Sequence, residues 1–309
     1  MKAVQTEVDA MIPYKQILLA TDFSEQARKA AAEAVRIARR YQAQLHVLHV
    51  DVIALQNTDG FDHPPLADYV RSFDQVAMDA VGLDVGVSYR NAVTAIIRDT
   101  SEAAGILRYA AEKDIDLIVL GTHGRSPLGE AFMGSVAQRV VRESAVSVLI
   151  VGPHQKSGGA PAGGKHVILA PVDLTARSGF AMAQAGALAS ERSAHLLVLH
   201  ALDFSRVAHD ESMSREQEQE EAHDRLDQFV ARAGLPVDAE PVLGVGPAAD
   251  VIFDIARKRE AELIVIAPSG HGPIDRVLLG SVTKRVVRGA SCPVLIHREP
   301  VEARERVAA

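Results

Sequence analysis

Tryptophan is absent from this 309-residue chain, aromatic residues make up only 4% of it, and there is one cysteine. Without large rings to fill space, any core must be aliphatic. One thiol cannot close an intramolecular disulfide, so Cys292, next to Pro293 and an apolar run, reads as core filling in a reduced, cytosolic setting. No window approaches the roughly 18 apolar residues that a membrane span requires. The first nine residues carry two acids and no apolar stretch of signal-peptide length, so neither export nor a membrane partner is expected. Acids outnumber bases in both halves, for a net charge of −7, and the basic excess that nucleic acid demands is missing. Also lacking are a Gly-x4-Gly-Lys-Ser/Thr loop, the kinase Gly-rich loop with its catalytic Asp and Asn, and a nucleophile elbow.

What is present is a repeat. Ile17 to Asp22 is answered by Ile168 to Asp173, and Leu45 to His49 by Leu196 to His200, each 151 residues on. Gly134 to Arg142 and Val148 to Ile150 are answered by Gly280 to Arg288 and Val294 to Ile296, 146 residues on, so the two copies differ in length in the middle. Between them the Gly-, Pro- and Ser-rich stretch from Gly152 to Gly164 reads as a linker. The expected organisation is a first domain over 1–151, a linker over 152–165 and a second domain over 166–309. A hydrophobic share of 48% with 24% charged residues suits two ordinary globular cores.

Within each copy, short β-branched runs alternate with longer segments of helical period, the pattern of an α/β fold with a parallel sheet covered on both faces. In the first copy the strands are expected near 15–21, 44–50, 85–90, 116–121 and 146–151, and the helices near 24–41, 66–82, 101–113 and 134–144. Ser24 is a candidate N-cap. Ala27, Ala30, Ala31, Ala34, Ala38 and Tyr41 then fall on one helical face, where small side chains permit close packing on a sheet.

In such sheets, ligands bind beyond the carboxyl ends of strands where the chain order reverses. If the first and fourth strands are neighbours, Asp22 shares a cleft with the run Gly121-Thr122-His123-Gly124 and with Gly134-Ser135 beyond it. Glycine amides and a helix N-terminus favour phosphate, while a carboxylate across the cleft can accept hydrogen bonds from ribose or adenine. Arg125 is a candidate phosphate contact, weighed against a solvated loop arginine, and Asp22 and Asp173 are weighed as helix caps. His49 and His200 read as structural histidines, because no second ligand type recurs near them at metal spacing. The acidic run from Arg215 to Glu221 reads as the wet face of a helix.

These residues resemble the universal stress protein family in tandem form, over about 13–151 and 166–297. The pattern Gly-x2-Gly-x9-Gly-Ser/Thr of the family's nucleotide-binding members is complete as Gly121, Gly124, Gly134 and Ser135. The resemblance implies two Rossmann-like domains, akin to adenine nucleotide alpha hydrolases, each a five-stranded parallel sheet with helices on both faces. It implies ATP, ADP or AMP, with or without Mg2+, with Ala20, Thr21 and Asp22 near adenine and ribose, the Val50 backbone beside the base, and Gly121, Gly124, Arg125, Gly134, Ser135 and Val136 around ribose and phosphates. The matching positions in the second copy are Pro171, Asp173, Ala201, Gly270, Gly280, Ser281 and Val282. Two departures stand out. Ala267 replaces the first glycine of the motif, and Asp99-Thr100-Ser101 stands where the second copy turns through Gly244-Val245-Gly246-Pro247. The resemblance also implies an intramolecular pseudo-dimer, with a further homodimer possible between chains.

Three functions remain open at this level: a nucleotide-binding regulatory protein without rapid turnover, a slow ATPase or autophosphorylating enzyme, and a ligand-free partner-binding protein. No lysine lies between Gly121 and Ser135 to stabilise a departing phosphoryl group, which supports the first.

Overall fold

The computed structural model describes residues 14–52, 91–122, 133–152, 166–205, 213–268 and 279–299. The first copy supplies β1 (Gln16–Ala20), β2 (Gln44–Val52), β3 (Ala92–Asp99), β4 (Leu117–Gly121) and β5 (Ser147–Val151), with helices α1 (Glu25–Tyr41), α2 (Glu102–Glu112) and α3 (Ser135–Glu143). The second supplies β6 (Val167–Val172), β7 (His195–Leu202), β8 (Ala239–Val245), β9 (Leu263–Ile266) and β10 (Val294–Ile296), with α4 (Ala176–Arg192), α5 (Arg215–Arg232), α6 (Ala248–Lys258) and α7 (Ser281–Gly289).

All ten strands join one sheet in the order β3-β2-β1-β4-β5-β10-β9-β6-β7-β8. Pairing within each copy is parallel, and β1 lies between β2 and β4, so the chain order reverses between the first and fourth strands as the cleft argument requires. The copies meet along β5 and β10, which pair antiparallel through Val294 with Ile150, Leu295 with Leu149 and Ile296 with Val148. Joining these two strands removes both as open edges, which would otherwise expose rows of unpaired backbone groups.

Two aliphatic layers sandwich the sheet. Residues of α1 and α4 pack with Leu19, Leu117, Leu149, Leu263 and Leu295 on one face, and residues of α2, α3, α6 and α7 pack with Leu18, Ile118, Ile150, Ile264 and Ile296 on the other. Each layer runs through both copies. Covered above and below, β1 and β4 read as unbroken apolar runs rather than alternating ones. The face of α1 is the expected one: Ala27, Ala30, Ala31, Ala34 and Ala38 are buried. Ser24 caps it by accepting from the Ala27 amide at 3.2 Å, and Gln42 ends it in the left-handed region at φ 53°.

One expected strand needs correction. The third strand lies at Ala92–Asp99, later than the expected 85–90, with Leu45 paired to Ala92. It is an edge strand with Val93 and Ile96 exposed, so its composition carries a weaker burial signal than the alternating stretch before it. Positions 85–90 and the helix expected at 66–82 lie outside the described residues. The unusual turn after β3 is built by side chains. Asp99 accepts from the Thr100 amide at 2.6 Å and pairs with Arg108, and Ser101 caps α2. In the second copy Gly246 makes the same turn at φ 130°, a conformation open to glycine.

Candidate functional site

The carboxyl end of β1 is held by its neighbour. The Thr21 amide donates to the Leu48 carbonyl at 2.9 Å, and His49 Nδ1 lies 2.8 Å from the Thr21 carbonyl, which requires that nitrogen to carry the proton. Past Thr21 the chain turns sharply. Phe23 adopts φ 65°, a left-handed conformation unusual for a bulky residue, with its ring 4.8 Å from that of His49. Asp22 accepts from the Ser24 amide at 3.0 Å and Thr21 Oγ1 accepts from the Phe23 amide at 3.0 Å. The cap of α1 is therefore Ser24, and Asp22 fixes the cap residue rather than capping the helix itself. Asp22 is half-buried and lies just past β1, in the strand position beside the end of β4.

The end of β4 supplies the other wall. Thr122 is buried, and its amide donates to the Val151 carbonyl at 3.0 Å. Its own carbonyl accepts from the Gly134 amide at 2.7 Å, so the chain that leaves at Thr122 returns to the same point to begin α3. That closure brings Gly121 and the Gly134-Ser135 pair together from either side of the loop. Gly134 is the N-cap of α3 and offers no side-chain cap, so among the described residues no cap side chain satisfies the first-turn amides at the cleft end of the sheet. Ser135 is exposed there, while Val136 packs against the core. Gly124 and Arg125 lie outside the described residues, so the structure brings together Ala20, Thr21, Asp22, Gly121, Gly134, Ser135 and Val136 of the expected set. Val50 is buried one strand away, its side chain against α2.

The first glycine of the motif has a packing cause. A Cβ on Gly121 would lie 3.2 Å from the backbone carbonyl carbon and oxygen of Gln26 in α1. Close approach of helix to strand, and not a left-handed backbone, makes a side chain there tight.

The second copy repeats the frame with changes. His200 Nδ1 lies 2.9 Å from the Val172 carbonyl, and Leu174 adopts φ 59°. Thr175 caps α4, and Asp173 accepts from its amide at 3.2 Å and from its hydroxyl. Burial works against the charge on Asp173, but hydrogen bonds from Thr175 and Ser178 outweigh it and hold the carboxyl below its ordinary range. Pro171 is buried in β6 and Ala201 stands where the first copy has Val50. Gly280 and Ser281 begin α7, again without a side-chain cap, with Val282 against the core. Gly270 lies outside the described residues. Ala267 is buried with its side chain in the aliphatic layer, and the buried Thr283 hydroxyl donates to its carbonyl at 3.3 Å. Pro268 stands where the first copy has Thr122, so the amide that ties Thr122 to Val151 has no counterpart.

Two contributors escaped the sequence reading. Nothing in the sequence assigns the Thr122 carbonyl the closing of the loop, and Phe23 carries no signal beyond lying between Asp22 and the Ser24 cap. The general rule that buried backbone groups must be paired points to both only once the strand order is known.

Each half is thus an open, parallel α/β domain whose cleft sits at the carboxyl ends of strands flanking the reversal of chain order, and the whole is a tandem of two. The model of the universal stress protein family matches residues 13–152 and 165–298, and the chain belongs to that family. It is similar to the universal stress protein YxiE of Bacillus subtilis, 32% identical over 148 residues that span 45% of this chain and 99% of YxiE. With the universal stress protein Mb2028c of Mycobacterium bovis it shares 28% identity over 60% of this chain and 63% of that one. The chain spans less than two thirds of that relative, and 48% of the universal stress protein MJ0531 of Methanocaldococcus jannaschii. Among solved structures, a universal stress protein from Pseudomonas aeruginosa superposes with a TM-score of 0.65 at 21% identity, over 97% of this chain and 99% of that one, a likeness of fold.

Proposed function

We propose that the first copy binds an adenine nucleotide, ATP in the first instance, and that the protein acts as a nucleotide-responsive regulator in the cytosol. The single observation that supports this reading is the 2.7 Å closure between Thr122 and Gly134, which sets the start of α3, without a cap side chain among the described residues, beside Gly121 at the sheet's reversal point, with Asp22 just past the end of the adjoining strand. The amides of a helix start suit phosphate oxygens, and the carboxylate suits hydroxyl or amine donors of ribose and adenine. Among the described residues no group of three His, Cys, Asp or Glu side chains could hold a metal, so Mg2+ would be carried by phosphate oxygens and water, its common mode with nucleotides.

Titration calorimetry of MgATP into nucleotide-stripped protein tests this. One site per chain, lost on substitution of Asp22 and retained on substitution of Asp173, is the expected result. Two equal sites would show that Ala267 and Pro268 are tolerated, and no heat at millimolar nucleotide would defeat the reading. Phosphate release measured on the same samples separates a regulator from a slow ATPase.

A further inference from the structure

The two copies are related by a pseudo-twofold axis whose position can be read from pairs of equivalent residues that touch. Leu149 and Leu295 hold the same place in their copies, and they are partners in the β5–β10 pairing. A second such pair lies at the ends of the 17-residue helices α1 and α4. Arg40 and Glu191 are equivalent, and they meet: Arg40 Nε is 3.8 Å from Glu191 Oε2, and Arg40 Nη2 donates to the Glu191 carbonyl. Tyr41 Oη donates to the same carboxylate.

A contact between equivalent positions is what would become self-contact if a copy paired with its own kind. Two first copies would set Arg40 against Arg40, and two second copies would set Glu191 against Glu191. Only the mixed pair joins opposite charges on the axis. Alongside, Arg36 is held by Glu33 at 2.7 Å, and Arg192, which reaches Glu262 at 3.4 Å, stands where the first copy has Tyr41 and would meet Glu191 in a pair of second copies, so the discrimination falls on the first copy. We propose that Arg40 selects the partner of the first domain, making this surface fit Glu191 of the other copy of the tandem and reject another first copy. Beside the aliphatic pairing of β5 with β10, Ser147 Oγ lies 3.2 Å from His297 Nδ1 and accepts from the Arg298 amide, so the strand junction adds mixed contacts of its own.

The test is a charge-reversal cycle in the full chain, in a Tyr41→Phe background so that the tyrosine bond does not enter. Amide hydrogen exchange over 147–151 and 294–296 reads the junction directly. Arg40→Glu should speed exchange there roughly fivefold or more, beyond the neutral control Arg40→Gln, because like charges at contact distance repel. Glu191→Arg should act in the same direction, and the double reversal should return exchange to within about twofold of the background. Added salt should shrink the effect of each single reversal. The proposal fails if Arg40→Glu is no faster than Arg40→Gln, or if the double reversal shows the summed effect of the singles instead of rescue.

Discussion

The Gly134 amide and the Thr122 carbonyl lie 2.7 Å apart, and that bond returns the chain to the end of β4 after the loop between them. Gly134 holds φ −56° and ψ 149°, which proline can adopt. Gly134→Pro therefore removes one donor with little backbone strain. It should cost about 1 kcal/mol in denaturant unfolding while lowering ATP affinity at least about tenfold. Equal nucleotide affinity in the variant would show that loop closure does not shape the site.

Gly121 and Ala267 are equivalent positions with different demands. Gly121→Ala drives a methyl group to 3.2 Å from the Gln26 backbone and should cost about 1–3 kcal/mol. Ala267→Gly should cost less, roughly 1 kcal/mol for a lost buried methyl group and a freer unfolded chain. Urea melts of the two variants decide the order, and a larger loss for Ala267→Gly would refute the packing account.

Asp22 accepts from the Ser24 amide. Asp22→Asn keeps an oxygen for that amide but loses the charge, whereas Asp22→Ala loses both. Stability should fall by about 1 kcal/mol only in the alanine variant, and nucleotide affinity should fall in both. Affinity that tracks stability instead would assign Asp22 to the turn alone.

Glu240 is held down to about 2, from 4.5, by the Arg259 guanidinium first and His195 second. A carboxylate with a depressed folded value stabilises the protein above its ordinary range and loses that contribution as pH falls toward about 2. Acid unfolding followed by circular dichroism should accordingly show a shallower dependence over this interval for Glu240→Gln. The group is partly exposed, so the difference should be modest and should shrink in salt.

Cys292 is buried, and burial pushes its thiol up to about 12, with Glu262 adding to the effect. A thiol reagent at about pH 8 should modify native protein far more slowly than protein in denaturant. Rapid native labelling would mean that the segment before β10 opens locally.

Much of the architecture is legible from residue pattern because its causes are local. Ser24 followed by the alanine stripe of α1 announces a capped, close-packed helix, and the apolar runs of β1, β4 and β5 are too short and too continuous for anything but covered strands. The repeat makes two similar domains unavoidable. The third strand was displaced because an edge strand needs less burial, and its pattern is correspondingly dilute.

The sequence by itself determined the two-copy α/β plan, the aliphatic core and the glycine motif, since propensity, periodicity and spacing act over a few residues at a time. Only the tertiary structure decided that Thr122 closes its loop on Gly134, that Gly121 is bare because α1 crosses it, and that Arg40 faces Glu191. Those contacts join residues brought together by strand order and by the antiparallel meeting of β5 with β10, and no local pattern encodes which distant group will arrive to satisfy a backbone amide or a charge.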